Sequence, residues 1–306
     1  MLIKNPPVEV TEGVWMLGTN EYPVLLVSDL NEGAIFEGGV GATGLVVKEQ
    51  LADMDIDADL IKQVIITHAH PDHVMGVPVF RELFPNVTVS ASKMAAGTLT
   101  VEKAVGFFTK IDGLLTEALL KAGSIEEKHR PEPLKEKQII IDRILADGDT
   151  MTIGQRTLNV LATPGHTDCS LSFHEPSSGL LIISDVTGYY IPESGYFWPN
   201  YFTGYGATLE SIRRLAALDA EIVFLSHNAV IKGAEDVKAY FDNAIAATEA
   251  YHERIVTELE SGKSPEEIAR QLGIEVHEKT PLLNVEFFQK NCELLVKQSA
   301  KYSQND

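Results

Sequence analysis

Three imidazoles and a carboxylate fall within six residues, His68-Ala69-His70-Pro71-Asp72-His73. The stretch follows Gln63-Val64-Ile65-Ile66-Thr67, a short β-branched run bounded by polar residues, which reads as a buried strand. The cluster therefore sits where a strand ends and a loop begins. Neutral imidazole nitrogen and carboxylate oxygen suit zinc, iron or manganese. One tight turn can aim His68 and His70 to one side and Asp72 and His73 to the other, which would seat two metals. The plainer alternative is a polar turn without metal, and four potential ligands in six positions weigh against it.

The rest of the chain alternates in a way that suits an α/β fold. Residues 8 to 47 read as strands with tight turns, among them Val14 to Leu17, Val24 to Ser28 and Ala34 to Glu37. The turn Leu30-Asn31-Glu32-Gly33 separates two of them. Gly38-Gly39-Val40-Gly41 lets the backbone pass close to something, and without a Lys-Ser/Thr ending it favours a packing or metal-site role over nucleotide binding. Helices are expected near 43 to 62 and 75 to 84, and a strand at Val87 to Ser90. Between 91 and 133, apolar residues such as Phe107, Phe108, Ile111 and Leu115 recur at helical spacing, which predicts a helical insertion ended by Pro131 and Pro133. Strands resume at Ile139 to Ile141, Met151 to Ile153, Thr157 to Ala162, Leu171 to His174, Leu180 to Ser184 and, last, Glu221 to Ser226. A looser aromatic segment runs from Tyr189 to Tyr205, and 207 to 218 reads as an amphipathic helix. From 233 to 303 only helices are expected, one of them capped by Ser264 ahead of Pro265-Glu266-Glu267.

Four loops share one logic, each following a strand and each opening with a metal-ligand side chain. They hold His68 to His73, then His166 in Thr163-Pro164-Gly165-His166-Thr167, then Asp185, then His227. Strand ends on one edge of a layered fold converge, so the seven side chains can meet. Two metal ions with a bridging water fit that number. His174 reads as structural, and His129, His252 and His277 as surface residues. Cys169 is expected to be buried near the site.

The spacing His-x-His-x-Asp-His, then Thr-Pro-Gly-His-Thr, then Ser-Asp, then a late His closely resembles the metallo-β-lactamase-fold hydrolase superfamily over roughly residues 10 to 232. That resemblance implies a four-layered αββα sandwich with the site at one edge of two sheets. It divides the chain into a catalytic unit, 1 to 232, with an insertion at about 91 to 133, and a helical C-terminal extension, 233 to 306. Carried over by position, His68, His70 and His166 bind a first metal, Asp72, His73 and His227 a second, and Asp185 bridges them. Zinc is the expected ion, with iron or manganese as alternatives. Many members carry Asp-Thr-Gly where this chain has Glu37-Gly38-Gly39. That departure resembles a narrower group, that of the quinolone-signal response protein and choline-phosphate esterases, and assigns Glu37 to supporting a ligand. Thr167-Asp168-Cys169-Ser170 and Ser226 depart from glyoxalase II patterns without removing a ligand.

In such a site two cations about 3.5–4 Å apart bring the pKa of a shared water to about 7. The resemblance thus implies hydrolysis of an ester-like bond, a thioester, carboxylic ester, phosphodiester or lactone, by metal-bound hydroxide. Asp72 is the residue expected to orient the nucleophile or shuttle its proton. Tyr189, Tyr190, Trp198 and Tyr201 are expected to wall the substrate pocket. Two other classes compete: a diiron redox enzyme, and a regulatory or binding protein with an incidental site. Diiron relatives typically carry Glu at the position of His70.

A net charge of −19 argues against nucleic-acid or anionic-membrane partners and leaves a small molecule as the expected one. Two cysteines and an N-terminus without an apolar core fit a cytoplasmic protein. Val237, Tyr240, Phe241, Ala244, Ile245, Thr248 and Tyr251 lie near helical spacing, a stripe that serves either a core or a homodimer interface.

Overall fold

The computed structural model describes residues 1–30, 32–135 and 137–304. The chain opens with β1 (Leu2–Ile3), β2 (Val8–Thr11), β3 (Val14–Gly18), β4 (Pro23–Asp29) and β5 (Glu32–Phe36). Helix α1 (Gly41–Asp53) leads to β6 (Ile61–Ile65), and the short helices α2 (Pro71–Val74) and α3 (Val77–Leu83) lead to β7 (Thr88–Ser92). Helices α4 (Lys93–Leu99) and α5 (Glu102–Ala122) precede β8 (Arg143–Leu145). Then come β9 (Thr150–Ile153), β10 (Arg156–Ala162), β11 (Leu171–Glu175) and β12 (Leu180–Ile182). A hairpin of β13 (Tyr189–Ile191) and β14 (Tyr196–Trp198) precedes α6 (Tyr205–Ala216), β15 (Ile222–Phe224) and β16 (Val230–Lys232). Helices α7 (Ala234–Glu260), α8 (Pro265–Lys279) and α9 (Val285–Ser303) complete the described chain.

The strands form two seven-stranded sheets, β2-β3-β4-β5-β6-β7-β8 and β1-β16-β15-β12-β11-β10-β9. Side chains alternate across a strand, so a strand covered on both faces must be apolar throughout. In β4, Val24 and Leu26 face one core while Leu25 and Val27 face another. The second of these cores lies between the sheets, where Met16, Phe36 and Ile65 meet Val160, Phe173 and Phe224. Phe36 and Phe173 meet edge to face with ring centroids 5.1 Å apart. Outside the first sheet, Val47 of α1, Phe80 of α3 and Leu99 of α4 pack on Leu26 and Val64. Outside the second, Ile212 of α6 and Phe241 of α7 pack on Leu181 and Val223. The layers are thus αββα, with α8 and α9 added against the β13–β14 hairpin and α6.

Some expectations need correction. Ile139 to Ile141 is not a strand. Ile139 is buried and its N–H donates to Leu99 O, but Ile140 is exposed, and pairing with β7 begins only at Arg143. The aromatic segment contains a hairpin, and β16 follows the strand expected to be last. In the turn Leu30 to Gly33, Asn31 lies outside the described residues, and β5 already begins at Glu32. His129 is buried against Glu49, and His252 and His277 are half-buried rather than at the surface. Of the two uses open to the apolar stripe of α7, the core takes Val237, Tyr240, Phe241 and Ala244, beside β12 and β15. Among the described residues, no helix is long and apolar enough to cross a membrane.

Phe173 is fully buried between the sheets. Phe173→Ala is expected to cost about 3–5 kcal/mol. A thermal or denaturant melt showing less than about 1 kcal/mol would place the inter-sheet core elsewhere.

Candidate metal centre and adjoining cavity

The site forms because strand direction brings five loops to one edge. Strands β5 and β6 pair in parallel, so Glu37 and the His68 loop leave the first sheet on the same side. Strands β12 and β15 also pair in parallel, and β10 runs the same way because two antiparallel steps separate it from β12. His166, Asp185 and His227 therefore leave the second sheet together. Ligands gather outside the carboxyl ends of strands in folds of this kind.

Packing of the loops requires glycine. Gly38 N–H donates to His73 O at 2.8 Å. A Cβ on Gly76 would lie 2.2 Å from Gly38 O, so neither loop could approach the other with a side chain there. The glycine-rich run thus packs against the histidine loop.

All seven predicted side chains meet. His70 Nδ1 lies 3.0 Å from both His68 Nε2 and His166 Nε2. Asp185 Oδ2 lies 3.5 Å from His166 Nε2, 3.6 Å from His73 Nε2 and 4.0 Å from His68 Nε2. Its Oδ1 lies 3.4 Å from His227 Nε2. Asp72 Oδ2 lies 3.5 Å from His73 Nε2 and 3.7 Å from His227 Nε2. Three triads result, each with ligand atoms close enough to hold one ion: His68, His70 and His166; His68, His73 and Asp185; Asp72, His73 and His227.

The outer ring nitrogens decide which nitrogens face inward. His166 Nδ1 donates to Asn200 O at 2.9 Å and His227 Nδ1 to Glu21 O at 2.7 Å. His73 Nδ1 donates to Glu37 Oε2 at 3.1 Å, and His68 Nδ1 meets Ser184 Oγ at 3.0 Å. Each contact leaves Nε2 toward the centre, the arrangement a metal ligand needs. Glu37 also accepts from Thr67 Oγ1 at 2.8 Å and from Ser226 Oγ at 2.6 Å. It thereby touches a ligand directly and ties three strand ends together.

The buried groups of the centre shift one another's protonation. Burial and the neighbouring imidazoles hold His68 well below its ordinary value, and burial with His166 pushes His70 down to about 3. Burial also lowers His166. Burial opposes charge on His73 and His227 too, yet Asp72 with Glu37, and Asp185, respectively, outweigh it and raise both. Burial would raise Asp72 and Asp185, but His73 and His227 hold both carboxyls below the usual range. His73 Nε2 and Asp185 Oδ1 are nonetheless buried without a hydrogen-bond partner. Orphaned buried polar atoms are rare, and both of these belong to residues of the triads whose atoms are close enough to hold an ion. The donor set therefore fits divalent metal.

A cavity of about 420 Å³ opens over the centre, with His70, Asp72, His166, Asp185 and His227 on its floor. Tyr189 and Trp198 line it as expected from the sequence, whereas Tyr190 and Tyr201 do not. Tyr190 packs on Phe197 and Tyr240, because alternation along β13 turns it to the opposite face from Tyr189. Tyr201 is fully buried, with its hydroxyl 3.0 Å from Ser299 Oγ. Sequence reasoning missed Tyr22, whose ring meets His227 edge to face at 5.5 Å. It named no wall residue on α5, the α8–α9 link or α9, whose apolar residues carry the same spacing as core residues. Cys169 is buried beside the histidine loop, where Ala69 N–H reaches its Sγ at 3.4 Å.

Comparisons with known proteins bear on the family and the fold. The profile of the metallo-β-lactamase superfamily matches residues 21–227. A hydroxyacylglutathione hydrolase of Cereibacter sphaeroides (strain ATCC 17025 / ATH 2.4.3) is 29% identical over 167 residues, 54% of this chain and 48% of that protein. One of Rhizobium johnstonii is 41% identical over 46 residues, 15% of this chain and 18% of its own. The chain thus spans about half the length, 48%, of the first of these curated relatives. The crystal structure of a metallo-β-lactamase family protein from Thermus thermophilus superposes with a TM-score of 0.67 at 20% identity, covering 97% of this chain and 95% of that one. An archaeal superfamily protein from Sulfolobus tokodaii gives 0.55 at 18% identity, covering 75% and 85%. At such identities the structures show the fold, and the match over residues 21–227 shows the family: the chain belongs to the metallo-β-lactamase superfamily.

Proposed function

We propose that the chain is a metal-dependent hydrolase that cleaves an ester-like bond, whether thioester, carboxylic ester, phosphodiester or lactone. The observation that carries this reading is the convergence of His68, His70, Asp72, His73, His166, Asp185 and His227, with His73 Nε2 and Asp185 Oδ1 buried and making no hydrogen bond. His68, His70 and His166 would hold one cation, Asp72, His73 and His227 a second, and Asp185 would bridge them. Zinc suits this set, with iron and manganese as alternatives. Such a pair supplies Lewis acidity toward the substrate oxygen and makes water a nucleophile at neutral pH.

The chain's own groups do the rest. Asp72, on the cavity floor, orients the attacking water and takes up its proton. Tyr22 and Tyr189 flank His227, with ring centroids 5.5 and 5.0 Å from it. Burial keeps both phenols protonated; Tyr189 donates to Asn228 Oδ1 at 3.5 Å, which leaves Tyr22 as the donor for the oxygen that gains charge. The apolar walls exclude bulk water, which strengthens each of these contacts. Residues 1 to 232, with the insertion at about 91 to 133, form the catalytic unit in this reading, and 233 to 306 completes the pocket. The partner is a small molecule, and two buried free cysteines suit the cytoplasm.

Elemental analysis beside a panel of thioester, p-nitrophenyl ester, bis-p-nitrophenyl phosphate and lactone tests the reading. Two metals per chain with turnover on one class supports it, whereas less than half a metal per chain and no turnover on any would overturn it. Asp185→Asn is expected to reduce occupancy toward one metal and lower kcat/KM by at least about 100-fold without unfolding the chain. Unchanged activity would remove the bridging role. Metal uptake is expected to strengthen with pH. Acidic neighbours raise His73 and His227 in the metal-free protein, so those protons must leave before the ion binds. Zinc should bind at least about tenfold tighter at pH 8 than at pH 6 in chelator competition. A pH-independent affinity would contradict that assignment.

A further inference from the structure

The walls of the cavity point to the kind of group that enters it. Helix α5 contributes Phe107, Phe108, Ile111 and Leu115, and α9 faces it with Phe288 and Leu294. Among the described residues that line the cavity there is no Lys or Arg, and its other wall polar groups are neutral amides and hydroxyls. The ionisable side chains on the floor are Asp72, Asp185, His70, His166 and His227. A carboxylate or phosphate carried by the substrate into this space would find no fixed cation along the walls. Phe107 and Leu294 are 57% and 38% exposed, although both are large and apolar. They belong to different helices and lie on the same cavity, so its opening is apolar as well. A volume of about 420 Å³ is at the smaller end of small-molecule sites.

We propose that this cavity holds the apolar acyl chain of an uncharged substrate, laid between α5 and α9 with its carbonyl end over the histidine-lined floor. The proposal rests on the hydrolase reading for the chemistry at that end, and on the cavity walls alone for the chain. It also separates this protein from an acylglutathione hydrolase, because glutathione brings two carboxylates for which these walls offer no partner.

Two series measured on the metal-loaded full chain test it. In the first, kcat/KM is measured for p-nitrophenyl butanoate, hexanoate and octanoate, with S-lactoylglutathione as the charged comparator. The expected result is a rise of at least about tenfold from butanoate to octanoate, since each buried methylene favours binding, and little or no turnover of S-lactoylglutathione. In the second, binding of 2-hexanone and 2-decanone, which are not cleaved, is followed by tryptophan fluorescence, Trp198 being on the wall. The longer ketone is expected to bind at least about tenfold tighter. Phe107→Asn and Leu294→Asn, both at exposed positions, should each flatten both gradients, and the pair together should bring them below about threefold. Flat gradients in the unaltered protein would overturn the proposal, as would S-lactoylglutathione turning over faster than the octanoate ester. If no ester is cleaved yet the ketone gradient holds and the variants flatten it, the apolar site stands and the hydrolase reading fails. Ester cleavage with flat gradients in both series is the converse.

Discussion

A single buried carboxylate holds the two sheets in register at the site. Glu37 is 1% exposed and stands at the end of β5 with a backbone φ of +79°. That left-handed conformation is costly for a residue with a side chain. A buried carboxylate costs several kcal/mol more unless it is paired or hydrogen-bonded. Here Thr67 donates from the end of β6, Ser226 from the end of β15, and His73 from α2. Thr67 Oγ1 also lies 2.8 Å from Ser184 Oγ, the residue before Asp185. One small network therefore fixes the loops that carry His68, His73, Asp185 and His227. Its strain sits where a slight displacement would separate ligand atoms that now lie 3 to 4 Å apart.

The same network explains two departures from the family's pattern as one. Many members have a shorter Asp at the position of Glu37, and Gly is common at the position of Ser226. In this chain the longer carboxylate reaches across the inter-sheet gap, and the Ser226 hydroxyl meets it at 2.6 Å. Removing either partner alone would leave the other short of a hydrogen bond in a site closed to water. The two positions lie far apart in sequence, so each is legible alone only as an oddity.

That contrast describes how far the sequence reaches. The histidine loop is readable because its ligands are neighbours in the chain, and His166, Asp185 and His227 are readable because each follows an apolar strand. The alternation of β4 between two cores accounts for its uninterrupted apolar run. Short elements are harder to read. Strand β16 has only three residues, and Ile139 to Ile141 looks like a strand although one of its isoleucines is in solvent. Tyr189 and Tyr190 look equivalent in sequence, yet pleating sends one to the cavity and the other to the core under α7. Tyr22 carries no local signal, since its role comes from His227 on the other sheet.

The cavity is the least legible part, for a physical reason. An apolar stripe on a helix reads the same whether it covers a core or a substrate. On α5, Leu119 is fully buried while Phe107, twelve positions earlier on the same helix, is largely exposed beside the cavity. On α9, Leu295 is in the core and Leu294 is at the cavity. What distinguishes the two uses is the facing surface, and here the facing surfaces come from segments far apart in the chain. In the proposed reading, reactivity and selectivity thus have separate sources. The strand ends supply ligands whose positions are set by backbone direction and by Glu37. The helices supply a wall without Lys or Arg, over a floor that carries Asp72 and Asp185.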